Sequence, residues 1–223
     1  MTFQQTLLLL TGLALGMRHA FDRDHVAAVT HFISLEPDPL KSAWFGFRLA
    51  IGHALTVLVL GSVILLLHLK FDPSFERYAE LAVGVTLIVL GLWRLLLLMQ
   101  ERRHVHQHAH RGKAHSHVHS HEPGREHVHR FAPTLVGMVH GASGTAELFV
   151  LIPITLISTT LLAYLYIGLF SLGCALTMGT YGYVVGRFYR RANQTGQHIY
   201  RALVVATSLS GLVLGAIWIL KNL

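Results

Sequence analysis

The chain has 223 residues, 52% hydrophobic and 13% charged, and its mean hydropathy of +0.50 exceeds what a soluble domain carries on its surface. The formal charge of +7 does not indicate nucleic-acid binding, because so apolar a chain leaves no exposed basic face of the size that phosphate neutralisation needs. The single cysteine, Cys174, lies inside an apolar run and excludes both an intramolecular disulfide and every cysteine-based metal motif.

Crossing a bilayer takes about 20 apolar residues, and six stretches qualify: 4–33, 44–68, 78–99, 132–156, 159–186 and 200–220. The expected fold is therefore all-α, a polytopic membrane helix bundle of about six transmembrane helices. The first stretch has no basic residues before it and no small-residue cleavage site, so it is expected to stay in the mature protein. Pro37 and Pro39 separate the first two spans, and Phe71-Asp72-Pro73-Ser74 the second and third. Between the fourth and fifth only Pro153 and the Ser158-Thr159-Thr160 cluster intervene.

Alternate loops of such a bundle face the same side. Loops one, three and five carry Lys41, Arg48, Arg102, Arg103, Arg111, Lys113, Arg125, Arg130, Arg187, Arg190, Arg191 and Arg201, against Lys70, Arg77 and Lys221 on the other side. This bias places the chain in the inner membrane with both termini outside and the long third loop in the cytoplasm. That loop, residues 101–130, is a different material. It holds His104, His106, His108, His110, His115, His117, His119, His121, His127 and His129, with Gly112, Pro123 and Gly124 and almost nothing apolar. Such a segment buries no core and is expected to be mobile, with metal capture or sensing as its role. The resulting division is a first three-helix half (1–100), the His-rich loop (101–130) and a second half (131–223), the layout of a 3+3 repeat transporter.

The sharpest signal lies in the first span, at Arg18-His19-Ala20-Phe21-Asp22-Arg23-Asp24-His25. Ionisable groups at membrane depth cost several kcal/mol each and are seldom kept without a role, a partner or a wet cavity. On a continuous helix, at about 100° per residue, His19, Asp22 and His25 share a face while Asp24 points away. Asp24 would then orient a ligand or pair with Arg23. Imidazoles suit nickel, cobalt, zinc and copper, whereas magnesium prefers oxygen. His53, in Gly52-His53-Ala54-Leu55-Thr56, interrupts the second span beside a glycine that permits close packing. His140 and Glu147 lie in the glycine-rich run from Gly137 to Glu147 of the fourth span. The stretch from Met178 to Tyr183 reads as a packing surface, and His31, His68 and His198 as interfacial residues near span ends.

The Arg18 to His25 segment resembles the signature of the nickel/cobalt transporters, a histidine followed after four residues by Asp-His, and Gly52-His53 resembles their second motif. The segment from His140 to Gly144 is closer to the short urease-accessory, UreH-like branch, which is linked to nickel supply for urease. Two departures stand out: Arg23 replaces a small residue, and Ser143-Gly144-Thr145-Ala146-Glu147 only partly echoes a later family motif. The resemblance implies a metal set of His19, Asp22, Asp24, His25, His53, His140 and Glu147. It also implies Ni2+ or Co2+ as cargo, with Zn2+ acceptable at the loop, and no catalytic cofactor.

The expected partners are the lipid bilayer, the metal ion, and a cytoplasmic metallochaperone or a urease or hydrogenase maturation factor. No nucleotide-binding loop of the Gly-x-x-x-x-Gly-Lys-Ser/Thr type is present, so the reading is a transporter that is not itself an enzyme. The alternatives are efflux with the loop as collector, a non-transporting membrane metallochaperone, and a membrane di-iron oxygenase. The last would need many fixed, closely spaced histidines outside the loop.

Overall fold

Lipid offers the backbone no hydrogen-bond partners, so each Leu-, Val- and Ile-rich run must close its own bonds and coils into a helix. The computed structural model describes residues 2–67, 72–101, 109–110, 113–114, 125–143, 150, 152–155, 157 and 159–223. In chain order the helices are α1 (Phe3–His19), α2 (Arg23–Leu35), α3 (Pro39–Leu67), α4 (Pro73–Glu101), α5 (Arg125–His140), α6 (Ile152–Thr155), α7 (Thr160–Thr195) and α8 (Gln197–Asn222). A short antiparallel ladder joins β1 (Ala109–His110) to β2 (Lys113–Ala114) within the histidine-rich stretch. Among the described residues α3, α4, α7 and α8 are long and apolar enough to cross a membrane.

The first expected span is not one helix. Thr2 starts α1 with a capping box: its Oγ1 accepts from the Gln5 N–H while the Gln5 side chain accepts from the Thr2 N–H. After His19 the chain tightens, with Phe21 N–H donating to Arg18 O and Asp22 N–H to His19 O. Asp22 then adopts an extended conformation (φ −61°, ψ 146°) and begins α2 from the N-cap position. Asp38 opens α3 in the usual way, its Oδ1 accepting from the N–H groups of Leu40 and Lys41 at 3.0 Å.

The helices cross through glycines, as expected where apolar attraction cannot drive helices together and close packing must. A Cβ at Gly16 of α1 would overlap the Phe170 carbonyl of α7, and one at Gly173 would overlap the Leu13 carbonyl. The crossing of α5 on α3 has the same form: Gly137 abuts the Leu49 carbonyl and Gly52 the Thr134 carbonyl. A spacing of 121 residues relates the two crossings throughout, from 16 to 137, 13 to 134, 49 to 170 and 52 to 173. Between α4 and α8, Gly84 and Gly215 each face the other's carbonyl, at 2.9 and 2.5 Å from an added Cβ. Leu58, Val85, Leu165 and Val213 stay exposed on the outer surface, where lipid covers them.

Candidate metal site

Two helix ends, a helix start and a helix midpoint converge inside the bundle. His19 ends α1, Asp24 and His25 form the first turn of α2, His140 ends α5, and His53 stands fourteen residues from either end of α3. His19, His25, His53 and His140 are each 0% exposed and Asp24 is 3% exposed. The break at Ala20–Asp22 makes this possible. It turns α2 away from α1, so that His19 and His25 bring their rings to 4.6 Å edge to face.

The Nδ1 atoms decide what the rings offer. Nδ1 of His19 is 2.9 Å from Asp22 Oδ2, that of His25 is 3.1 Å from Asp24 Oδ1, and that of His140 is 2.9 Å from the Val136 carbonyl. Each oxygen only accepts, so Nδ1 carries the proton and Nε2 keeps its lone pair. Nε2 of His25 and of His140 and Nδ1 of His53 are buried without a hydrogen-bond partner among the described residues. His19 Nε2 lies 3.1 Å from His53 Nε2. His19, His25 and His53 each present one ligand atom within 4.8 Å of the others. His140 completes the ring of imidazoles at 5.4 Å from His25, with its Nε2 4.0 Å from Asp24 Oδ2. Phe170 closes the apolar wall, 5.4 Å from His19 and 6.4 Å from His53 between ring centroids. Such a chamber presents neutral nitrogen donors, oriented by oxygens behind them, to a soft or borderline cation.

Six of the residues singled out in the sequence thus meet: His19, Asp22, Asp24, His25, His53 and His140. The helical-wheel expectation for the acids is corrected. Asp24 faces inward and supports His25, while Asp22 has a side chain 32% exposed and supports His19 from the rim. The wheel assumed one continuous helix, and the break rotates everything after it. Glu147 lies outside the described residues, as do His104, His106, His108, His115, His117, His119, His121 and His68. His110 falls on β1, and His127 and His129 on the first turns of α5, where the sequence had placed loop.

His31, expected at the interface, is instead 2% exposed and has neither ring nitrogen bonded. It packs against Gly211 of α8 near Arg94, itself 2% exposed. Arg94 donates to the Ser34 carbonyl at 3.0 and 3.2 Å, and Tyr200 donates to the same oxygen at 2.8 Å. This cation satisfies one of the carbonyls left over at the C-terminal end of α2.

A signal for His140 exists in the sequence at the 121-residue spacing. Gly16-Met17-Arg18-His19-Ala20 aligns with Gly137-Met138-Val139-His140-Gly141, and Gly52-His53-Ala54-Leu55 with Gly173-Cys174-Ala175-Leu176. His140 therefore occupies in α5 the position of His19 in α1. Cys174, whose Sγ donates to the Gly16 carbonyl at 3.2 Å, stands where His53 stands in α3.

The chain is 28% identical over 191 residues to the urease accessory protein UreH of Bacillus sp. (strain TB-90), covering 80% of this chain and 76% of that protein. No family model matches it, and no solved structure does.

Proposed function

We propose that this chain is a permease that carries a divalent transition metal, nickel or cobalt, through an intramembrane chamber of histidines. One observation carries the reading: four fully buried imidazoles converge at mid-bundle, and in three of them an oxygen behind Nδ1 leaves Nε2 as the nitrogen that carries the lone pair. A solvated ion would exchange water for His19, His25, His53 and His140, with Asp22 and Asp24 supplying the compensating charge. Nitrogen donors disfavour magnesium and calcium. Glu147 extends the path from the second half.

The reading includes six membrane passages arranged as two inverted halves. It is supported by the reciprocal glycine crossings and by the matching Gly-Met-x-His and Gly-x-Ala-Leu segments 121 residues apart. In inverted-repeat transporters the substrate sits at the interface of the repeats near mid-membrane, beside broken helices. The break at Ala20–Asp22 and the end of α5 at His140 support this part of the reading. Uptake is the direction proposed, because a urease accessory role, which the UreH relative's name states for that protein, calls for delivery of nickel inward. The histidine-rich segment then receives the ion on the cytoplasmic side and passes it to a metallochaperone or a urease or hydrogenase maturation factor.

The test is nickel and cobalt accumulation in cells expressing the wild type, His19→Ala, His25→Ala and a deletion of 104–129. Accumulation above control that disappears in both point variants supports import through the chamber. Accumulation below control means efflux by the same route. Point variants that behave as wild type would remove the permease reading and leave a chaperone in its place.

A further inference from the structure

We infer that the crevice between α4 and α8 is a binding site for an acidic phospholipid. Leu98 of α4 and the first turns of α8 border a recess of about 940 Å³ that opens to the outside of the bundle. Its rim carries Gln197, His198 and Arg201, from the first turns of α8. Its remaining lining is apolar, from Leu98 of α4, which is 5% exposed, through Val205 to Leu209 of α8, which is 49% exposed.

The polarity changes in one direction only. At a rise of about 1.5 Å per residue, the path from Gln197 to Leu209 descends roughly 18 Å, from donors at the top to hydrocarbon at the bottom. That matches a headgroup with the upper part of its acyl chain. Arg201 is half-buried and His198 exposed, and no acidic side chain lines the recess among the described residues. The exposed Arg190 and Arg191, just before the α7–α8 turn at Gly196, add cations at the same end of the hairpin. The lysine and arginine distribution assigns this end to the cytoplasm, where anionic headgroups attract basic groups and pockets between helices hold them.

A zwitterionic lipid would leave the Arg201 guanidinium with a partner whose charge is already neutralised internally. An anionic phosphodiester, as in phosphatidylglycerol or cardiolipin, matches it with charge-assisted hydrogen bonds. The recess shares no residue with the histidine chamber, so this inference stands whether or not the chain transports metal.

The experiment is native mass spectrometry of the full chain, purified in detergent and given an equimolar mixture of phosphatidylglycerol, cardiolipin and phosphatidylcholine. The expected result is one acidic lipid retained in preference to phosphatidylcholine. Arg201→Gln should reduce that preference about fivefold, the effect of removing one cation near the headgroup plane. Ala206→Trp fills the recess without changing charge and should expel the lipid while the protein stays monodisperse. Equal retention of phosphatidylcholine, or a preference unchanged in both variants, would mean ordinary boundary lipid and overturn the inference.

Discussion

The acid behind His25 separates an oriented chamber from a group of histidines that merely touch. Asp24 is buried and its Oδ1 accepts a hydrogen bond from the Nδ1–H of His25, so Asp24→Asn would keep the shape of the site but lose the acceptor's charge and weaken the hold on the tautomer. Nickel affinity of the purified protein, measured by calorimetry, should fall about 10- to 100-fold in Asp24→Asn. His25→Ala should remove measurable binding while the circular dichroism spectrum stays helical. Equal affinity in wild type and Asp24→Asn would mean that the ion does not use His25. The presence of these residues was legible in the sequence, because charge inside an apolar run is expensive and therefore conspicuous. Their orientation was not. Asp22 and Asp24 exchanged the inner and outer positions because three residues, Ala20 to Asp22, leave the helical path. His31 was misplaced for a related reason: position near a span end says nothing about which neighbour covers it, and here Gly211 does.

Among the elements, packing rests on glycine, and the sites can be ranked by what a side chain would strike. At Gly137 any Cβ overlaps the rigid carbonyl of Leu49, whereas at Gly168 on α7 nothing lies within 4 Å. Gly137→Leu should therefore separate α5 from α3, destabilise the fold by at least about 1–3 kcal/mol and displace His140. Gly168→Leu should leave the thermal midpoint in detergent unchanged. Equal loss in both would show that the crossing is looser than its geometry implies. The break between α1 and α2 makes a second prediction at this scale. Phe21 is 60% exposed at the level of the chamber, while the single native thiol, Cys174, is fully buried. In Phe21→Cys a membrane-impermeant thiol reagent should label the protein if the break faces water, and nickel should slow the labelling. The parent protein should stay unlabelled. Absence of labelling in Phe21→Cys would place the break against lipid and require another route to His19. The long helices α3, α4, α7 and α8 were readable from their apolar runs, but a turn with no proline or glycine between Ala20 and Asp22 carries no composition signal.

For the molecule as a whole, the arrangement that matters is the relation between its halves, which in the proposed permease would set the sidedness of transport. If the proposed two inverted copies of three passages hold, the number of crossings is even, and both termini would lie on one side with the histidine-rich segment on the other. The recurrence at 121 residues was present in the sequence but faint, because the matched positions are a few glycines and one histidine among interchangeable aliphatic residues. Only when Gly16 and Gly137 are seen against equivalent carbonyls does the spacing acquire a physical reason. The basic residues predict which side is which, since Lys and Arg near span ends remain cytoplasmic. Reporter fusions after residue 115 should therefore be active only as a cytoplasmic reporter, and fusions at Leu223 only as an exported one. If both positions report the same side, the number of crossings between them is even. The second half would then not be an inverted copy of the first, and the chamber would lie between two unrelated bundles rather than on an axis that can open alternately to either face.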